Sequence, residues 1–177
     1  MISREGTAIE DKLNELKTKY YNENGGSNFL FKNTQKLDCA KEITESIPIK
    51  ELLQRSFYIV DNTNRIYVEY TILKMYANPA VYKTMLGYVN SLIALCIETR
   101  GGFELHVNLK TFTVTAANRY KDLIQMFCEN SLQKNCSHQA YLQNIYLYNY
   151  PAIIPILTTL FSGFVDDSAR SKLVLVK

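Results

Sequence analysis

The chain has 177 residues, of which 47% are hydrophobic and 21% charged, and a net charge of +3. That length and balance suit one globular domain with a buried core and room for a short appendage. They exclude disorder, a collagen-like repeat and a coiled-coil rod as descriptions of the whole chain. The densest basic cluster, Lys12, Lys17 and Lys19, is interspersed with Glu10, Asp11 and Glu15. Mixed signs mark a solvated helix face, with at most weak attraction to an anionic membrane surface, and argue against a nucleic-acid partner.

Residues 5–23 place Ile9, Leu13, Leu16 and Tyr20 at spacings of four, three and four, which predicts an amphipathic helix. Asn24-Gly25-Gly26-Ser27-Asn28 ends it and reads as a linker. Phe29-Leu30-Phe31 is a short apolar cluster of strand type, and Lys32 to Glu45 is polar without a clear period. Ile47 to Leu53 fits a short helix with Pro48 near its start. Phe57–Val60, an Asx-rich turn at 61–64, and Ile66–Ile72 predict a β-hairpin. Asn78-Pro79 is a helix start. Val81, Met85, Val89, Leu92, Ile93 and Cys96 then share one face of a helix that stops at Gly101-Gly102.

Phe103, Leu105, Val107 and Leu109 alternate with polar residues, the period of a strand. A second helix begins near Thr115 and carries Tyr120, Ile124, Phe127 and Cys128; a polar loop over 130–138 follows. Leu142–Tyr148 reads as a strand, Ala152–Phe161 as an apolar helix, and Asp166-Asp167-Ser168 as a turn. Leu173–Val176 is apolar on both faces and predicts a strand covered on both sides. No side chain from Ala140 to Val165 is charged, but Pro151 and Pro155 would break a spanning helix. Helix and strand alternate from residue 79 onward, which predicts a largely parallel sheet with right-handed crossovers.

No chemistry-bearing motif stands out. Cys39, Cys96, Cys128 and Cys136 have no CxxC spacing, and His106 and His138 complete no zinc pattern. The thiols read as reduced and buried, which places the chain inside a cell, in the cytoplasm or at a membrane periphery. There is no GxSxG, phosphate loop or HExxH, so no enzyme, catalytic residue, metal or cofactor is expected. His106 reads as a hydrogen-bonded structural histidine, and the tyrosines, interleaved with aliphatics, as core and groove lining.

The stretch Tyr141–Pro151 carries a resemblance. Leu142, Tyr146, Asn149 and Pro151 fall on the matching positions of "YPERL-x-x-(I/V)-Y-(I/V)-I-N-A-P". Phe161, Phe164, Val165, Asp166, Lys172 and Leu173 align with "F-L-D-x-x-T-x-x-K-I", and Gly102 and Val107-Asn108-Leu109 with an upstream glycine and a "D-L" strand. Over residues 57–177 the chain resembles a CRAL-TRIO domain, the fold of phosphatidylinositol-transfer and of retinaldehyde- and tocopherol-binding proteins. It also resembles, more distantly, divergent versions in large nucleocytoplasmic DNA viruses. It departs from the family at Asn108, where Asp is usual, and at Ala169, where one branch has a phosphate-binding Thr; Lys172 is kept. The helical segment that usually precedes the family's lipid domain is expected to be absent or reduced to helix 5–23. No "L-P-x-x-x-G-G" portion follows the last strand.

The expected architecture is α/β, mostly parallel with an antiparallel hairpin: an N-terminal helix and linker over 1–28 and a CRAL-TRIO-like domain over 29–177. The resemblance implies a non-enzymatic module binding a lipid or other apolar ligand under a gate helix, here 152–165. The implied ligand-binding residues are Tyr146, Tyr148, Ile153, Leu157, Leu160, Phe161 and Phe164, with Lys172 as a phosphate contact. A helix apolar on nearly every side is also compatible with a core helix packed on the sheet, or with a patch that docks a protein partner. The alternative function is a structural or interaction protein with a filled pocket, such as a component of a large DNA virus particle, located in the virion.

Overall fold

The computed structural model describes residues 7–28, 30–132, 136–152 and 167–176. Helix α1 (Thr7–Glu23) turns Leu13 and Tyr20, two turns apart, into the common core and leaves its charges outside. Gly25 and Gly26, both left-handed, end it. The strand expected at 29–31 is not formed at its described residues: Leu30 and Phe31 stand exposed in a turn, and Lys32–Ser46 is helix α2. Only Cys39, Ala40 and Ile43 of α2 are buried, a stripe too narrow to show as a period in the sequence. Helix α3 (Ile49–Ser56) follows Pro48 and buries Leu52, Leu53 and Ser56. The Ser56 hydroxyl donates to the Leu52 carbonyl at 2.8 Å, so the buried Tyr76 hydroxyl donates to Ser56.

Strands β1 (Phe57–Ile59) and β2 (Arg65–Glu69) form the expected antiparallel hairpin. The second strand was expected to reach Ile72 but stops at Glu69, and Tyr70–Tyr76 is helix α4. Tyr70, Leu73 and Tyr76 are its buried positions, at three-residue spacing. Their burial on one helical face outweighs the strand preference of an aromatic, β-branched run. The Asn78 side chain accepts from the Ala80 amide at 3.1 Å and caps a short turn into α5 (Tyr82–Arg100). Met85, Val89, Ile93 and Cys96 bury one face of α5, and Gly101 (φ 73°) ends it. By length and composition Pro79–Arg100 could cross a bilayer; a stripe packed on a sheet gives a core helix the same composition.

β3 (Phe103–Asn108), α6 (Val114–Arg119), α7 (Lys121–Ser131), β4 (Leu142–Tyr148), α8 (Asp167–Ser171) and β5 (Leu173–Val176) complete the described elements. The Thr113 side chain caps α6 by accepting from the Ala116 amide at 3.2 Å. The sheet runs β1-β2-β3-β4-β5, with β2 to β5 parallel. Sequential order with right-handed crossovers puts the crossover helices on one face. In register across the sheet, Ile66, Leu105, Ile145 and Leu173 share that face, while Tyr67, His106, Tyr146 and Val174 share the other. Strand β5 departs from expectation. It is an edge strand, and Val174 and Leu175, expected to be covered, are 37% and 44% exposed. The charge-free stretch 140–165 contains β4, while residues 153–166 lie outside the described residues.

Gly102 packs against the start of β4. A Cβ there would meet the Tyr141 carbonyl oxygen at 2.9 Å and Gln143 Nε2 at 3.0 Å. Gly102→Ala should therefore cost about 1–3 kcal/mol, read as a lower urea midpoint at unchanged slope. Gly87→Ala, at an exposed helical site with nothing within 4 Å, should instead stabilise by up to about 1 kcal/mol.

Candidate functional site

The two sheet faces carry opposite chemistry. On the helix face, Phe57, Val68, Leu105 and Val107 point toward α5 and α7. Met85, Leu86 and Val89 of α5 and Leu123, Ile124 and Phe127 of α7 face them without closing the space. What remains is a partly open cavity of ≈ 200 Å³ whose wall, among the described residues, is apolar. Tyr70, Phe112 and Tyr120 also line it. They meet edge to face, Tyr70 lying 4.9 Å from Phe112 and 6.2 Å from Tyr120 between ring centroids. The Tyr120 hydroxyl donates to the Lys74 carbonyl at 3.2 Å, so its polar end is satisfied in the protein. Protein interiors leave few voids larger than a water. A dry apolar cavity of about 150 Å³ takes up benzene or xenon, and this partly open pocket offers a comparable volume.

The opposite face is an aromatic ladder. Tyr58, Tyr67, His106 and Tyr146 are partners in register on four adjacent strands. Their rings lie 5.6, 5.3 and 4.6 Å apart with interplanar angles of 11°, 13° and 19°. Rings stacked along the pairing direction stand on edge, so most of them show edges and hydroxyls to their surroundings rather than faces. His106 is buried at its centre. One ring nitrogen lies 2.9 Å from the Tyr148 hydroxyl and the other 3.3 Å from a Glu104 carboxylate oxygen, which also pairs with Arg65 at 3.2 Å. This is the hydrogen-bonded structural histidine that the sequence suggested.

The motif residues Asn108 and Asn149 meet at the C-terminal ends of β3 and β4. The Asn149 amide donates to Asn108 Oδ1 at 2.9 Å, and the Asn108 amide donates to Glu69 at 2.9 Å. An aspartate at 108 would set two carboxylates against each other; the amide donates to one neighbour and accepts from the other. Glu69 supplies the negative charge locally, which gives the departure at Asn108 a physical reason. Asn149 itself is left-handed (φ 50°), a conformation asparagine tolerates at a strand exit.

Of the residues singled out in the sequence, the described ones, Tyr146, Tyr148 and Lys172, do not line this cavity. Tyr146 and Tyr148 stand on the ladder face and take no part in the cavity wall. Lys172 Nζ donates to the Leu142 carbonyl at 2.7 Å and to Gln139 at 3.4 Å, tying α8 to the start of β4. Ile153, Leu157, Leu160, Phe161 and Phe164 lie outside the described residues. The cavity is lined instead by Val89, Leu105, Val107, Ile124 and Phe127, whose pattern in the sequence is that of ordinary core. All four cysteines are free, and burial pushes the Cys39 thiol up to about 11 and Cys128 up to about 12. Both are protonated at neutral pH.

No family model and no curated protein matches the chain. A solved structure, that of the CRAL-TRIO protein Sfh5, superposes with a TM-score of 0.56. The match covers 93% of this chain and 67% of Sfh5 at 13% identity. The fold is CRAL-TRIO-like. At that identity the likeness speaks for the fold alone.

Burial lowers the His106 pKa from its ordinary 6.5, with the bond to Glu104 opposing. The unfolded chain therefore takes up a proton on this residue before the folded protein does. Stability from the neutral ring is complete above about pH 7 and is lost as pH falls below 6.5. A scan of melting temperature from pH 7.5 to 5.5 should fall for the wild type and flatten for His106→Gln; parallel profiles would contradict this assignment.

Proposed function

We propose that the chain is a non-enzymatic binding module that takes an apolar group into the cavity between the sheet and helices α5 and α7. One observation carries the reading: a partly open pocket of ≈ 200 Å³ against the hydrophobic core, whose wall among the described residues is apolar. Filling it with a hydrophobic molecule returns the contacts the void forfeits. Among the described residues the wall presents no nucleophile, acid or base to such a molecule beyond the phenols of Tyr70 and Tyr120, whose pKa values burial raises. The volume lies below the roughly 300–1,000 Å³ of sites that enclose drug-sized ligands. It suits a small ring or a length of acyl chain rather than a whole two-tailed lipid. The CRAL-TRIO-like fold supports a lipid as the source of that group, and a peripheral membrane contact is where such a lipid is drawn from.

The other reading, a structural or interaction protein with a filled pocket, is favoured by no specific observation: among the described residues the strands and helices leave this space open. None of the comparisons bears on a viral setting.

The test uses cis-parinaric acid, a fluorescent polyene fatty acid, with the wild type and the cavity-filling variants Val89→Phe and Val107→Phe. The wild type should bind the probe and melt higher in its presence. The variants should keep the fold by circular dichroism and lose most of the binding. A wild type that neither binds the probe nor releases an apolar molecule on solvent extraction would sink the proposal.

A further inference from the structure

Helices α1, α2, α4 and α6 enclose a second cleft of ≈ 160 Å³, and this one is cationic. Lys17 comes from α1, Lys36 from α2, Lys74 from α4 and Arg119 from the end of α6; no carboxylate is among the described residues that line it. The four come from distant parts of the sequence, so the fold gathers them. Lys17 reads in the sequence as part of a solvated face, yet it forms one wall.

The gathering is electrostatically unfavourable. Burial, then the charges of Arg119, Lys32, Lys17 and Lys74, lower the pKa of Lys36; burial, then Lys17, lower that of Lys74. Among the described residues none of the four cleft cations forms an ion pair. Two are nevertheless held in position. Lys74 Nζ donates to the Thr111 hydroxyl at 2.8 Å, and Arg119 Nε and Nη2 donate to Asn33 Oδ1 at 3.1 and 2.7 Å. Thr111 and Thr113 line the same cleft. Each hydroxyl accepts a hydrogen bond within the protein, Thr113 from the Ala116 amide, and keeps its own proton to donate.

We propose that this cleft binds a phosphate group. Converging cations with no carboxylate among the described lining residues, and with two hydroxyl donors beside them, match an anion of more than one charge and several acceptor oxygens. A phosphate ester has both, whether on a soluble molecule or on a lipid headgroup. The site is separate from Lys172, whose ammonium is bonded at the start of β4, whereas Lys74 and Thr111 follow the C-terminal ends of β2 and β3. Tyr70 lines the cationic cleft and the apolar cavity alike, so one ring separates a phosphate site from a site for an apolar group. The phosphate assignment holds whether or not the cavity is occupied.

The experiment measures binding of inorganic phosphate and inositol hexakisphosphate by calorimetry, and flotation with phosphatidylcholine vesicles with and without phosphatidic acid. The proteins are the wild type, Lys36→Gln/Lys74→Gln, Lys17→Gln, Val89→Phe, and Lys19→Gln as a control outside the cleft. The double variant should melt higher than wild type in phosphate-free buffer, because repulsion is relieved, and bind at least about tenfold more weakly. Lys17→Gln, at an exposed position, should weaken binding without touching the fold. Response to the soluble anions assigns a soluble phosphate; response only to phosphatidic acid vesicles assigns a lipid headgroup; either supports the site. Val89→Phe should lose parinaric acid and keep phosphate, which separates failure of the cavity reading from failure of this one. No binding by the wild type, unchanged binding in the double variant, or equal weakening by Lys19→Gln would each overturn the proposal.

Discussion

Handedness is the constraint on which the rest depends. Strands β2 to β5 lie side by side in chain order and run parallel. Right-handed crossovers from β2 to β3 and from β3 to β4 send α5 and α7 to the same side of the sheet. The sheet therefore acquires two unlike faces before any particular side chain is chosen. One has to be apolar, because α5 and α7 lie on it; the other receives the alternate residues of each strand, and there the tyrosines and His106 stack. The same direction of travel brings the ends of β2, β3 and β4 to one edge, where Glu69, Asn108 and Asn149 are linked.

Within that frame the two candidate sites are places where the usual rules of a stable interior are broken in different ways. The cavity leaves apolar surface without contacts, and the cleft assembles charges of one sign. Each costs free energy that well-packed positions such as Ile66, Tyr76, Ile93 and Phe103, all fully buried, must offset. Natural proteins concentrate such local violations at sites of function. Here they lie back to back, sharing Tyr70.

Much of the fold was legible because its period was strong. The stripe Met85, Val89, Ile93, Cys96 and the alternation through Leu105 and Val107 each admit one reading, and the hairpin followed from its Asx-rich turn. Helix α2 was hidden because it buries so little, and α4 because tertiary burial at Tyr70, Leu73 and Tyr76 overrode a strand-like composition. The edge position of β5 could not be read from an apolar run, which looks the same at an edge and at a centre. The candidate sites were less legible still. A residue that lines a void and one that fills it obey the same pattern, so Val89 and Val107 passed as core. The cleft has no linear motif at all, since Lys17, Lys36, Lys74 and Arg119 are brought together only by the packing of four helices. By contrast, Asn108 and Asn149 were marked by motif, and the structure shows why they go together.

The ladder has a consequence for observing the molecule. The chain has 13 tyrosines and no tryptophan, so its near-ultraviolet absorption is dominated by phenol rings. Tyr58, Tyr67, Tyr146 and Tyr148, from strands β1, β2 and β4, are set nearly parallel in one asymmetric array around His106 of β3. Transition dipoles arranged in that way couple, and their coupling survives only while the strands stay in register. The protein thus carries its own optical gauge of sheet order, and a single tryptophan introduced beside Tyr70 would report on cavity and cleft against a dark background.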